Sequence, residues 1–298
     1  MSGSFSGLAI ETIAVLPYAA PVGFAALGEI VGQKSGVINI GLEGMMLMGA
    51  YFSMTGVLLG HGHFAIPLGF LLAIVSAVIL AEISAYFTVV LAVDQVVVGT
   101  AINLLALGVT STLFRMKYGS SGKLLTLPTL TRFEGVDAGI VLLILCLPVV
   151  AWILNKSAWG LTMRSAGEYP KATEAAGFSV VKLRMWSLAI GGIFAGLAGA
   201  YLVLGTSGSF TENMTSGRGF VAIALVTFGR WKPTWVFLAA ILIGFLETLQ
   251  FRFQAIGIHV PYELLIASPY AIAIIILLIA GKGTTSPAAL GIPFRRTI

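Results

Sequence analysis

Apolar residues fill nine stretches of this chain, at about 8–28, 37–59, 64–92, 95–114, 138–154, 185–205, 219–229, 235–256 and 262–280, with polar breaks between them. A helix needs roughly 20 predominantly apolar residues to cross a bilayer. Most of the nine approach that length. The stretch at 219–229 does not; it is either a half-helix or extends backward through Thr215 and Ser216. The pattern predicts an all-α polytopic membrane protein with about nine transmembrane helices (about eight to ten), forming a single transmembrane domain over 1–298. Pro17 and Pro21 interrupt the first stretch, which a span tolerates where neighbours satisfy the freed carbonyls. A short polar turn is predicted from Gly28 to Gly36, a long polar loop at 156–184 and a polar tail at 282–298.

The long loop contains its own element. Pro170 suits the first position of a helix, where its missing N–H costs nothing. Lys171 to Ala176 can continue the helix, and Gly177 can end it by turning left-handed. A helix over 170–176, roughly 10 Å long, is too short to be stable alone. The residues by themselves fit a docking element for a soluble partner and a solvated loop with one helical turn equally well.

Composition agrees with lipid as the solvent: 58% of residues are hydrophobic and 10% charged, against about 25% charged in soluble domains. Cys146 is the only cysteine, so no disulfide or cysteine metal site is expected. His61, His63 and His259 sit near span ends, and a site built from His61 and His63 would lack carboxylate or cysteine partners nearby, so no metal is expected. No basic residue precedes the first apolar run, so no cleavable signal is expected. Taking all nine stretches as crossings puts the N-terminus outside and the loop at 156–184, the Arg230–Pro233 turn and the tail in the cytoplasm. Eleven of the 17 Lys and Arg residues then lie inside, in keeping with the positive-inside rule. The basic outer loop at 115–137 is the exception. Residues 64–114 and 235–280 each run long span, acid, break, span, with Glu82 and Glu247 in matching places, an arrangement expected of an inverted repeat.

Polar groups inside the spans mark candidate sites. Asn103 shares a helix face with Gly99, Ala106 and Thr110, and Glu247 shares one with Ala240, Gly244, Gln250 and Gln254. Such stripes face protein or water. They either line a solute path or form helix contacts, and the same choice holds for Glu82, where snorkelling serves as well. Asn39 and Glu43 lie in the Gly- and Met-rich second stretch. Gly192, Gly196 and Gly199 make a close-packing surface, for a helix of this chain or of another subunit. No enzyme is expected. The P-loop pattern fails at Gly281-Lys282-Gly283, and neither H-E-x-x-H nor G-x-S-x-G occurs.

Two stretches resemble the permease subunits of bacterial ABC importers for simple sugars and nucleosides. The first, Ser35-Gly36-Val37-Ile38-Asn39-Ile40-Gly41-Leu42-Glu43-Gly44-Met45-Met46, resembles the nucleoside-importing, basic-membrane-protein type branch. The second runs from Gly160-Leu161-Thr162-Met163-Arg164-Ser165-Ala166-Gly167-Glu168 through Ala175-Ala176-Gly177 to Ala195–Ala200, and resembles that family's cytoplasmic coupling loop and following span. Pro261-Tyr262-Glu263-Leu264-Leu265 is also similar to the branch. The chain departs from the broader pattern in that Gly177 follows Ala176 directly, and it lacks the extra leading span of the larger sugar permeases.

The resemblance implies the ABC importer permease fold in a bacterial cell membrane. It implies a second, related permease subunit, a cytoplasmic ABC ATPase, an extracytoplasmic substrate-binding lipoprotein and surrounding lipid, with no cofactor and no nucleic acid. Coupling to the ATPase would fall to Glu168, Pro170, Lys171, Glu174, Ala175, Ala176 and Gly177. The translocation path would involve Asn39, Glu43, Asn103 and Glu247. The expected solute is a nucleoside. A simple sugar of ribose or galactose type is the alternative within this architecture. An ion-coupled secondary transporter using Glu43, Glu82 and Glu247 is the alternative outside it.

Overall fold

The structure is a computed structural model and describes residues 2–119, 125–255, 267, 271 and 286–295. Apart from residues 267 and 271, the predicted ninth span at 262–280 lies outside the described residues, as do His259, the Pro261–Leu265 stretch and the first residues of the tail; of the second half of the suggested repeat, residues 235–255 with Glu247 are described. Ten helices are described: α1 (Ser2–Lys34), α2 (Leu42–Leu59), α3 (Ala65–Ala85), α4 (Gln95–Tyr118), α5 (Ala138–Lys156), α6 (Ala158–Glu168), α7 (Pro170–Ala175), α8 (Val180–Tyr201), α9 (Arg218–Phe228) and α10 (Pro233–Ala255). One π-helical turn, Tyr86–Val90, prolongs α3, and another, Leu202–Ser207, prolongs α8.

Helices α1, α2 and α8 form the interior. α3 lies against α2 and α8, α4 against α2, and α10 and α5 against α1. α3 shows why these sequences sort into layers. Gly69, Ala73, Ala77, Ala81 and Ala85, four residues apart, form one buried stripe, while Leu71, Val75, Ile79 and Ile83 form the opposite, exposed one. In lipid no hydrophobic gain drives helices together, so small residues that let backbones approach closely decide the buried face. α8 answers with its glycines. A side chain at Gly192 would meet Ala81, one at Gly196 would meet Ile74, and one at Gly199 would stand 2.1 Å from the Met46 carbonyl oxygen. The close-packing surface of 185–205 is therefore spent on α3 and α2 of this same chain.

Seven helices among the described residues are long and apolar enough to cross a membrane, against the nine stretches predicted. α9, with 11 residues, rises only about 16 Å at 1.5 Å per residue. Thr215 and Ser216 do not extend it, because Asn213, Ser216 and Gly217 take positive φ and form a turn. The predicted polar turn at 28–36 is also corrected. α1 continues to Lys34 because Glu29 and Gln33 are buried, one turn apart, and joined by a 2.9 Å hydrogen bond. Their partners are inside the protein, not in water. The loop at 156–184 contains α6 in addition to the short helix read from its sequence.

Adding one methyl group at Gly199 must push α2 away from α8. Gly199→Ala is expected to destabilise the bundle by about 1–3 kcal/mol, read as a lowered Tm of the detergent-solubilised protein. An unchanged Tm would contradict this packing.

Candidate functional site

Two backbone breaks meet inside the bundle. The first is residues 35–41, between α1 and α2, which carry no helical hydrogen-bond ladder. In a membrane interior every such N–H and C=O must find a partner within the protein. Side chains from other elements supply them. Gln95 Oε1 accepts from the Ile38 N–H at 2.9 Å, and Glu29 Oε1 accepts from the Asn39 N–H at 3.2 Å. Asn103 Nδ2 donates to the Ile40 carbonyl at 2.9 Å, while its Oδ1 accepts from the Gly44 N–H at 2.8 Å in the first turn of α2. Gly99 on α4 admits this stretch, since a Cβ there would stand 2.4 Å from that of Ile40.

The second break is the start of α9. The first N–H groups of a helix have no partners within it. Glu43, on the first turn of α2, provides them: Oε1 accepts from Gly217 at 2.7 Å and Oε2 from Gly219 at 2.6 Å. Its negative charge also matches the positive end of the helix dipole. Gly219 is needed because a Cβ would stand 2.6 Å from the Glu43 backbone. At the far end of α9, the Trp231 indole N–H donates to Gln33 Oε1 at 2.8 Å, which ties α9 to the last turn of α1.

Between Gly217 and Gly219, Arg218 reaches the other way, into a cavity of about 360 Å³. There its guanidinium pairs with Glu247 of α10, Nη2 to Oε2 at 3.3 Å, and donates to the Met214 and Thr215 carbonyls. Tyr18 of α1 and Phe251 of α10 line the same cavity with ring centroids 5.3 Å apart. Thr206, Ser207, Thr211 and Ser216 contribute hydroxyl-bearing side chains to its wall. The segment over the cavity is anchored by Glu212, which receives three hydrogen bonds from Arg115, the shortest 2.7 Å. These bonds hold the Glu212 carboxyl below the usual carboxylate range.

Of the four residues expected along a path, Asn39, Glu43 and Asn103 gather at the broken joint. Glu247 faces the cavity, linked to them through Arg218. Glu82 lies apart, at the surface where α3 meets α8, near Lys182 and Trp186. The sequence reading missed Tyr18, Arg218 and Phe251. Arg218 counts there only as an outer basic residue, although its isolated charge beside an apolar stretch is the signal that marks it.

The short helix α7 projects from one end of the bundle. Tyr169, Lys171, Ala175, Ala176, Gly177 and Phe178 are exposed, and Thr173 is buried beneath them. Gly177 takes φ +89°. Glu174 turns inward, accepting from the Val180 N–H at 3.1 Å, so it joins α7 to the start of α8. Glu168 closes α6 and is exposed. Neighbouring Gly167 sits on the end of α1, where a Cβ would stand 2.3 Å from the Lys34 carbonyl oxygen. The exposed aromatics Tyr169 and Phe178, on either side of α7, are a second omission of the sequence reading.

The family described as branched-chain amino acid transport system / permease component matches residues 12–281. NupQ of Bacillus subtilis, a guanosine ABC transporter permease protein, is 32% identical over 96% of this chain and 97% of its own. NupC of Lactococcus lactis, a nucleoside ABC transporter permease protein, is 28% identical over 94% of this chain and 95% of its own. TsgC13 of Haloferax volcanii, named provisionally as a glucose ABC transporter permease protein, is 36% identical over 78% of this chain and 74% of its own.

Replacing the Glu43 carboxylate by an amide leaves one oxygen to serve two N–H groups and brings an NH₂ against a donor. Glu43→Gln is expected to cost about 1.5–3 kcal/mol, seen as a lower Tm. A Tm equal to that of the parent protein would contradict the capping role.

Proposed function

Since this chain belongs to the branched-chain amino acid transport system permease component family, we propose that it is the membrane subunit of an ABC importer that carries nucleosides. The cavity is the observation that carries the substrate reading. A nucleoside offers a flat base with apolar faces, an edge of donors and acceptors, and a ribose with several hydroxyls. The cavity sets against these the Tyr18–Phe251 rings, the Arg218–Glu247 pair and a row of hydroxyl side chains. Aromatic rings favour stacking partners, and placed polar groups are what fix a ligand's orientation in a small-molecule site. The relatives named for guanosine and nucleosides support the same reading.

A hexose also stacks on aromatic rings, and the relative named for glucose supports a sugar as the second reading. Two of the three carboxylates that an ion-coupled carrier would use are already engaged, Glu43 by two backbone N–H groups and Glu247 by Arg218, and the third, Glu82, lies apart from the cavity where α3 meets α8.

Nine crossings, with an inverted repeat, place the N-terminus outside and the α7 end in the cytoplasm of a bacterial cell. A second, related permease completes the path, a binding lipoprotein delivers solute from outside, and α7 docks on a separate ATPase. Exposed Lys171, Ala175, Ala176 and Gly177, with Pro170 starting the helix, form the docking surface, while Glu168 and Glu174 fasten it. Movement of α7 passes through α6 to the Gly167 seat on Lys34, then to residues 35–41. Glu43 carries it to α9, and Arg218 to the cavity. This is a rigid-body displacement between packed states, with no bond-making in the membrane subunit.

A competition uptake assay in cells holding the whole importer tests the substrate. Adenosine or uridine is expected to displace labelled nucleoside, and ribose and galactose are not; competition by the sugars alone would overturn the nucleoside reading. For the coupling surface, Glu174→Arg removes the carboxylate that fastens α7 to the start of α8 and so misplaces the docking surface, which is expected to cost about 2 kcal/mol or more of docking energy, roughly 30-fold in affinity. The loss is read as ATPase absent from the purified complex and uptake abolished. Full uptake in that variant would place the coupling elsewhere.

A further inference from the structure

The tail segment 286–295 lies across the α7 end of the bundle and binds two elements that also meet at Gly167. Toward the arm, the Ala289 N–H donates to the Gly167 carbonyl at 2.8 Å, and the Ala288 N–H to Glu168 Oε2 at 3.2 Å. Toward the unwound stretch, the Gly291 N–H donates to the Gly36 carbonyl at 3.1 Å. Arg184 of α8 closes the arrangement from below. Its side chain is 1% exposed. Nε donates to the Ser35 carbonyl at 3.1 Å and Nη1 to the Ile292 carbonyl at 2.9 Å. Burying a guanidinium is costly unless its donors are matched; Nε and Nη1 are matched here, and Nη2 is buried without a hydrogen-bond partner. Here its fixed fork spans two main-chain segments far apart in sequence, a geometry that the single ammonium of lysine does not reproduce.

We propose that residues 286–295 form a strap, with Arg184 as its positioning residue, that makes the α6–α7 arm and the unwound stretch 35–41 move as one body. The inference rests on the coupling reading above. Without the strap, no backbone hydrogen bond among the described residues joins the arm to residues 34–36, and the packing of Gly167 on Lys34 transmits a push far better than a pull. Importers must run the arm in both directions in each cycle. Hydrogen bonds from one short segment to Gly167, Glu168 and Gly36 make the return stroke possible.

The test uses the complete complex with its ATPase, reconstituted in vesicles, in a Cys146→Ser background. Two variants loosen the strap differently: Arg184→Lys, and Gly291→Val, whose β-branched side chain opposes the native φ of +76°. Seating is read from maleimide labelling of Ala289→Cys, at a position that is buried in the native chain. Both variants are expected to expose that thiol, to keep the ATPase bound and hydrolysing, and to lower solute moved per ATP by about tenfold, within the usual range of coupling between sites. Unchanged transport per ATP with the thiol exposed would overturn the proposal. So would loss of the ATPase from Gly291→Val, which would make the tail a docking surface. Glu174→Arg, run in parallel, separates the two readings. If it stops uptake and the strap variants do not, only the strap fails; if uptake survives Glu174→Arg, the coupling reading itself fails.

Discussion

The bundle depends on closing exposed backbone inside an apolar medium, and the Glu43 carboxylate is the central closure. A half-helix starting in the interior leaves unpaired N–H groups, each costing several kcal/mol in lipid. Glu43 satisfies those of Gly217 and Gly219 from a neighbouring helix. Asn103, Gln95 and Glu29 do the same for residues 35–41. The polar residues at the centre are thus matched to broken main chain. The protein can interrupt two helices at one place and keep a joint there without exposing it to lipid.

The joint lies between the arm and the cavity. At the arm end, Gly167 presses on Lys34, the residue before the unwound stretch. At the cavity end, Arg218 stands between the two glycines that Glu43 holds, and it pairs with Glu247. Residues 34–36 and the Arg218–Glu247 pair in the cavity wall are therefore connected through the unwound stretch, Glu43 and Arg218. Helices α3 and α8, locked by facing small residues, provide the frame against which a displacement along this connection is measured.

Long-period features were legible in the chain itself. The apolar stretches, the exposed and buried faces of the Asn103 helix, and a short helix beginning at Pro170 all follow from local composition and three- and four-residue spacing. Features that depend on partners distant in sequence were not. Glu29, Gln33 and Lys34 look like a solvated turn because their composition is polar; only the strand of backbone folded beside them, and Trp231 from nearly 200 residues away, make them the end of a buried helix. Arg218 reads as an outer charge until Glu247 is placed opposite it. Asn103 reads either as a path-lining group or as a helix contact, and its position shows both of its polar atoms engaged with residues 40 and 44. α6 was hidden by its mixed composition, with only Gly160, Met163, Ala166 and Gly167 turned inward.

Spin labels at Val75→Cys on α3 and Phe220→Cys on α9, both exposed positions, measure the joint against the frame. In a Cys146→Ser background, with the full complex in vesicles, ATP binding is expected to change the distance between them, and a proton gradient alone is not. A distance that follows the gradient, or one that stays fixed while ATP drives transport, would contradict a joint worked from the α7 end.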